Sequence, residues 1–312
     1  MIWAAAVLVA TALVAAAVAV ARAVERRLPP YAYWHDQLTT GKWHQIRALR
    51  REPPVDVVFA GSSQMLMAAD PTRLPFRAYN AALYRAVPTV MTEWLRDEVL
   101  PALRPRLVVW GVSILDLNDN GPFHHGIHAR YTASPARRWL LRNSALARRR
   151  GLLLRRGAGP RTDDPTAGKP LDSLLGPMGK GMEYVHFDTY RLSDDKREFI
   201  ETQIVADFAM GGAQVAALRE GARLVRASGA RLLLVEVPCT EEFVAMYPRQ
   251  AADLADARAL LRSVADELGV AFVQSGDDLP ERWFADCVHL NGVGMREWTD
   301  LMTPVLAEAL HG

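Results

Sequence analysis

Four short apolar runs recur along the chain, and helical spacing of apolar residues separates them. The first, VDVVFAGSS from Val55, ends in small residues and predicts a buried parallel strand that turns into a helix. The second, RLVVWGVS at Arg106 to Ser113, follows a helical stretch carrying Val90, Trp94, Leu95 and Leu100, closed off by Pro101 and Pro105. RLLLVEVP at Arg231 to Pro238 follows the predicted helix Gln214 to Ala227, whose end is marked by Ser228 and Gly229. VAFVQSG follows the helical segment Ala252 to Leu268 and Gly269, and a last helix is predicted from about Gly292. Alternating helices and continuous apolar strands predict an α/β domain with a central parallel sheet covered on both faces. Ligands in such folds bind beyond the carboxyl ends of the strands.

The pattern changes in three places. Ile2 to Ala21 carries no charge and no proline, and about 20 such residues match the length of a membrane-crossing helix. Residues 1–28 are therefore expected to be a single-pass transmembrane anchor, with a cleaved signal segment as the alternative, given the small residues around Ala16 to Ala23. Residues 29–54 read as a linker or strap. Pro29 and Pro30 break the helix, and Tyr31, Tyr33, Trp34 and Trp43 suit either a membrane interface or packing on the domain. The domain itself is expected over 55–312, with a Pro- and Gly-rich insertion at about 120–190. Nine arginines between Arg137 and Arg161, interleaved with leucines, would suit an anionic membrane surface or a solvated helix.

Composition narrows the function classes. The 312 residues, 50% hydrophobic and 23% charged with net charge +2, describe a globular chain with no general electrostatic reason to bind nucleic acid. No phosphate-binding loop or dinucleotide fingerprint is present. Cys239 and Cys287 lack the spacing of a zinc site; they read as two buried thiols, or as one bridge if the domain faces an oxidising compartment. His124, His125 and His128 form a cluster without a nearby carboxylate, which reads as a loop rather than a metal site. Glu236 ends a strand, as a site-facing acid or a capping residue, and Trp110 reads as core.

Two sequence features carry chemistry. Gly61, Ser62 and Ser63 stand where the first strand ends and a helix begins, a place where an exposed serine gains from backbone N–H groups; small hydroxyl residues are also ordinary helix caps. Far downstream, WFADCVHLNGVG sets Asp286 three residues before His289, close enough to converge on one turn. An aspartate accepting from one imidazole nitrogen leaves the other free to take a serine proton.

A strand-end serine early in an α/β domain, with Asp-x-x-His just ahead of its last helix, resembles blocks I and V of the SGNH (GDSL-like) hydrolase family. YNAAL at Tyr79 to Leu83 looks like block II, and VVWGVSILDLND at Val108 to Asp119 looks like block III. The resemblance implies a flavodoxin-like three-layer α/β/α fold and a triad of Ser63, Asp286 and His289. It also implies an oxyanion hole made from the amides of Ser63 and Ala82, with Asn118 or Ser113 as side-chain donor. The middle blocks depart from the family pattern: Ala82 stands where a glycine is usual, and Gly111, Val112, Ser113 and Ile114 replace Gly-x-Asn-Asp. Asn80, Asp116, Asn118 and Asp119 could equally shape turns. No cofactor and no metal is called for.

By analogy with the family, the GSS form of block I beside a membrane anchor implies a carbohydrate O-acetylesterase or O-acetyltransferase of the cell envelope. Its substrate would be an acylated carbohydrate or another ester, with a membrane-bound acyl-donor partner in the transferase case. The alternatives are a lipid or thioester hydrolase, and a catalytically silent partner in an envelope-modifying complex. The analogy favours an extracytoplasmic domain, whereas Arg22, Arg26 and Arg27 after the apolar run favour the cytoplasm.

Overall fold

The computed structural model describes residues 2–27, 37–121, 133–144, 146–147, 175–181, 192–275 and 279–311. In chain order these form α1 (Ile2–Glu25), α2 (Gln37–Leu49), β1 (Val57–Ala60), α3 (Ser63–Ala68), β2 (Ala78–Asn80) and α4 (Pro88–Trp94). There follow β3 (Leu107–Val112), α5 (Pro135–Asn143), α6 (Asp194–Gln203), α7 (Ala213–Ala227) and β4 (Arg231–Glu236). The chain closes with α8 (Ala251–Leu268), β5 (Ala271–Gln274) and α9 (Gly292–His311).

All four neighbour pairings are parallel, and the strand order is β2-β1-β3-β4-β5. The chain goes outward from β1 to β2 and then crosses back to β3, so the connection reverses beside β1 and opens a crevice at its carboxyl end.

The strands are apolar at nearly every position because both faces are covered. Val57, Phe59, Leu107, Val109, Leu233 and Val235 face one core, shared with Trp298, Met302 and Leu306 of α9. Val58, Ala60, Val108, Trp110, Leu232 and Leu234 alternate onto the other, against Trp94 of α4, Leu218 and Ala222 of α7 and Leu261 and Val264 of α8. This period-two division between two helical layers is what turns a continuous apolar run into a central strand. Trp110 lies in the core as its apolar setting predicts, resting against α7 at Gly221, where a Cβ would come within 2.5 Å of the indole.

Three features add to the sequence reading. β2 spans Ala78 and the first two residues of YNAAL, three residues that are too few to show a period. The strap contains α2, a thirteen-residue helix whose Trp43 and Ile46 are buried in the core, so Trp43 takes the second of its two expected settings, packing on the domain. The amino-terminal apolar run does form a helix, α1, yet among the described residues no helix is long and apolar enough to cross a membrane. Arg22 and Glu25 occupy the end of α1, and Val7, Leu13, Val14 and Val20 are exposed along it. Tyr31, Tyr33, Trp34, the histidine cluster and most of the arginine-leucine stretch lie outside the described residues.

Candidate active site

Ser63 is the first residue of α3, directly beyond the carboxyl end of β1. The turn between them needs glycine. Gly61 has φ +145°, and a Cβ there would lie 2.6 Å from the carbonyl oxygen of Gly111 on β3. A side chain at Gly111 would in turn meet Met65 and Val237. Gly61, just past β1, and Gly111 on β3 therefore let α3 begin tight against the sheet edge, and Ser63, 91% buried, is presented at the crevice.

Asp286 and His289 come from the loop ahead of α9, and that loop is closed by its own backbone. The Ala285 N–H donates to the His289 carbonyl at 2.8 Å, and Phe284 pairs with Leu290. Asn291 then caps α9, its Oδ1 accepting from the N–H groups of Val293 and Gly294 at 2.9 Å, while its Nδ2 donates to the carbonyls of Arg282 and Phe284. Within the loop, Asp286 Oδ1 accepts from the N–H groups of Val288 and His289, both at 2.9 Å.

These two segments, 226 residues apart, meet side chain to side chain. His289 Nε2 lies 2.9 Å from Ser63 Oγ, and His289 Nδ1 lies 3.0 Å from both carboxylate oxygens of Asp286. With Nδ1 protonated and donating to the carboxylate, Nε2 is the acceptor for the serine proton. Burial opposes ionisation of Asp286, but the imidazole's charge, its hydrogen bond and the Lys196 ammonium outweigh it and hold the carboxyl well below its usual range. Lys196 of α6 reaches Asp286 Oδ2 at 3.1 Å. A lone lysine in a polar helix offers no sequence signal for that contact.

The other expected oxyanion donors are engaged elsewhere. The Ala82 N–H donates to Asn80 Oδ1 at 3.1 Å. Asn118 Nδ2 donates to the Ile204 carbonyl at 2.9 Å, and its Oδ1 accepts from the N–H groups of Asn120 and Ala209. Ser113 Oγ donates to Gln64 Oε1 at 2.5 Å and lies 3.1 Å from Asp116 Oδ2. Asn118 thus ties two loops together and Ser113 holds α3, while the Ser63 N–H, at the first position of a helix, has no intrahelical carbonyl to reach.

Residues near block II and block III are structural in the same sense. Asn80 donates to the carbonyls of Met65, Leu66 and Ala69, which fixes α3 against β2. The wholly buried Lys42 of α2 donates to the carbonyls of Asn80 and Ala82 at 2.5 and 2.7 Å, a role hidden in the sequence because it joins the strap to the domain. Asp119 accepts from the N–H groups of Gly212 and Gln214 at the start of α7. Glu236 is paired with Arg258 at 2.9 Å. Cys239 and Cys287 are both free thiols, and burial first, then the Glu236 charge, push the Cys239 thiol up to about 12. Among the described residues there is no cluster of three or more metal-ligating side chains.

No protein-family model and no curated protein matches the chain. Among solved structures it is similar to a GDSL-like lipase from Bacteroides thetaiotaomicron, at 12% identity and a TM-score of 0.44, covering 88% of this chain and all of that one. It is also similar to a carbohydrate acetylesterase family member from Sinorhizobium meliloti, at 16% identity and a TM-score of 0.34, covering 82% and 99%. A third is a family two carbohydrate esterase with a carbohydrate-binding domain from Corynascus thermopiles, at 11% identity and a TM-score of 0.40, covering 83% and 68%. Likeness at this level does not extend to chemistry, which rests on the geometry of the site.

Proposed function

We propose that this chain is a serine-dependent acyl-ester hydrolase or acyltransferase of the SGNH class. The supporting observation is the hydrogen-bonded line from Ser63 Oγ through His289 to Asp286 at the carboxyl edge of the sheet. In the reaction, Ser63 Oγ bonds to the ester carbonyl carbon as its proton passes to His289 Nε2, and the carbonyl π electrons move onto oxygen beside the Ser63 N–H. Collapse breaks the bond to the alcohol, which leaves with the proton from His289. Water or a second hydroxyl then attacks the acyl-enzyme, His289 again taking and returning the proton.

The acyl group we infer is acetyl, carried on a cell-envelope carbohydrate, with a lipid or thioester as the alternative ester. Attachment to a membrane through α1 and an extracytoplasmic setting belong to the same proposal. Attachment is supported by the uncharged stretch Ile2 to Ala21 and the exposed valines of α1, and the extracytoplasmic setting by the family resemblance alone.

Fluorophosphonate labelling tests the nucleophile: label on the wild type that vanishes in Ser63→Ala and falls sharply in His289→Ala supports the proposal. A folded wild type that takes no label points instead to a catalytically silent partner protein. Release of acetate from acetylated polysaccharide, compared with turnover of long-chain acyl esters, separates the two substrate classes.

A further inference from the structure

Asp286 holds its neighbours unevenly. Oδ1 accepts two backbone N–H groups of its own loop, while Oδ2 faces a side chain from a different part of the fold, Lys196. We propose that Lys196 is a positioning residue that sets the charge balance of the Asp286–His289 pair, and so the pH range in which His289 serves as a base. The proposal deepens the hydrolase reading and rests on it.

The contact is built from several sides. Ser193 caps α6 and its hydroxyl accepts from the Lys196 N–H, Ile200 anchors the helix in the core, and the neighbouring Arg197 pairs with Glu242 at 2.6 Å. These fix the start of α6 beside the triad loop. The charged groups acting on Asp286 are His289 and Lys196, the first from the same loop and the second from α6. The Asp286 side chain is 18% exposed and that of Lys196 43%, so the ion pair sits at the rim, where water weakens it without cancelling it.

The consequence follows from charge alone. An isolated Asp286 carboxylate would favour imidazolium strongly, and a histidine already protonated cannot take the serine proton. An ammonium on Oδ2, an oxygen that the imidazole also contacts, offsets part of that negative charge and disfavours imidazolium. Lys196 therefore keeps the base available at lower pH, and it costs some stabilisation of the imidazolium that forms in the transition state.

The test uses the full chain as wild type, Lys196→Met and Lys196→Arg. For Lys196→Met, the acid limb of kcat/KM against pH should move upward by about 0.5–1 unit, the order expected for a partly solvated charge a few ångströms away. KM should hold, and Lys196→Arg should restore the wild-type limb. The downfield Nδ1 proton resonance of His289, assigned by its loss in His289→Ala, gives a readout that needs no turnover; its pH transition should move the same way. A limb and a resonance that both stay in place in Lys196→Met would overturn the proposal, as would Lys196→Arg behaving like Lys196→Met. If no ester is turned over by the wild type and the resonance still moves, the charge coupling of Lys196 to the Asp286–His289 pair stands, and the hydrolase reading fails together with the base role that rests on it.

Discussion

Two sets of polar residues line the same carboxyl edge of the sheet, and they use their side chains in opposite directions. Ser63, His289 and Asp286 reach across the crevice to one another, joining the first strand to the last loop. Asn80, Ser113, Asn118 and Asp119 turn back, satisfying backbone and side-chain groups of the loops that carry them or lie beside them. Position at a strand end thus does not make a residue functional. What distinguishes the first set is that its partners are each other, at proton-transfer distance, in a setting that water only partly enters.

The contrast is broken most severely at its chemical end. Ser63→Ala should remove ester turnover, and Asp286→Asn should lower kcat by about 10⁴-fold, because the amide favours the wrong imidazole tautomer. Ser63→Ala should unfold within about 1 kcal/mol of the wild type, since it empties no core position, whereas Asp286→Asn also gives up the carboxylate's charged contacts and should be less stable at neutral pH. Steady-state kinetics beside chemical denaturation makes the check, and an Asp286→Asn protein retaining a tenth of its activity would place Asp286 outside the machinery.

The reverse is expected for Asn80. Its side chain serves three carbonyls and one N–H in a fully buried setting, and Asn80→Ala removes all four bonds, the Met65 carbonyl alone keeping a second donor in the Ala69 N–H. A loss of about 3 kcal/mol in unfolding free energy follows, on the scale of orphaned buried polar groups. The measurement is the denaturation midpoint; a midpoint unchanged from wild type would mean that other groups or water take over these bonds.

How far the sequence led differs between the same two sets. The apolar runs marked β1, β3, β4 and β5, because double-sided burial writes a strand as a continuous apolar segment. β2 escaped, since Ala78–Asn80 is too short for any pattern, and α2 escaped because Trp43 and Ile46 are its chief buried apolar markers among polar neighbours. Ser63, Asp286 and His289 could be singled out because their chemistry depends on residue type and on local spacing. The expected hydrogen-bond donors Ala82, Ser113 and Asn118 could not be judged that way. Whether an amide points into a crevice or into its own loop depends on partners such as Ile204, Ala209 and Gln64, which no local motif specifies.

The two aspartates sharpen the comparison through pH. Asp116 is 2% exposed, and burial pushes its carboxyl up to about 6 against the hydrogen bonds from Ser113. The folded state therefore binds a proton more tightly than the unfolded chain does. Its stabilising contribution is fully present below about pH 4 and is lost as pH rises through about 6, by at most about 3 kcal/mol. Asp286 has the opposite sign: its carboxyl is held low, so its contribution is present above the ordinary carboxylate range and disappears on acidification. Asp116→Asn should flatten stability between pH 4 and 6, whereas Asp286→Asn should lessen the loss at lower pH. Unfolding free energies measured across that range distinguish them, and the same slope in wild type and Asp116→Asn would remove Asp116 from the account.

The smallest effect falls where family resemblance would expect a large one. A side-chain donor to the oxyanion is worth about 100- to 1000-fold in rate, so Asn118→Ala would be crippling if Asn118 filled that place. Its amide instead donates to the Ile204 carbonyl, and its oxygen accepts from the N–H groups of Asn120 and Ala209. It therefore joins the loop after β3 to the segment ahead of α7. Removing those bonds should lower stability by about 1–2 kcal/mol and leave kcat within about threefold of wild type, provided the assay is run well below the melting temperature. A hundredfold fall in kcat at unchanged stability would mean that the amide swings to the reacting carbonyl once substrate is bound. The line between residues that face the crevice and residues that hold its walls would then have to be drawn in the complex rather than in the free protein.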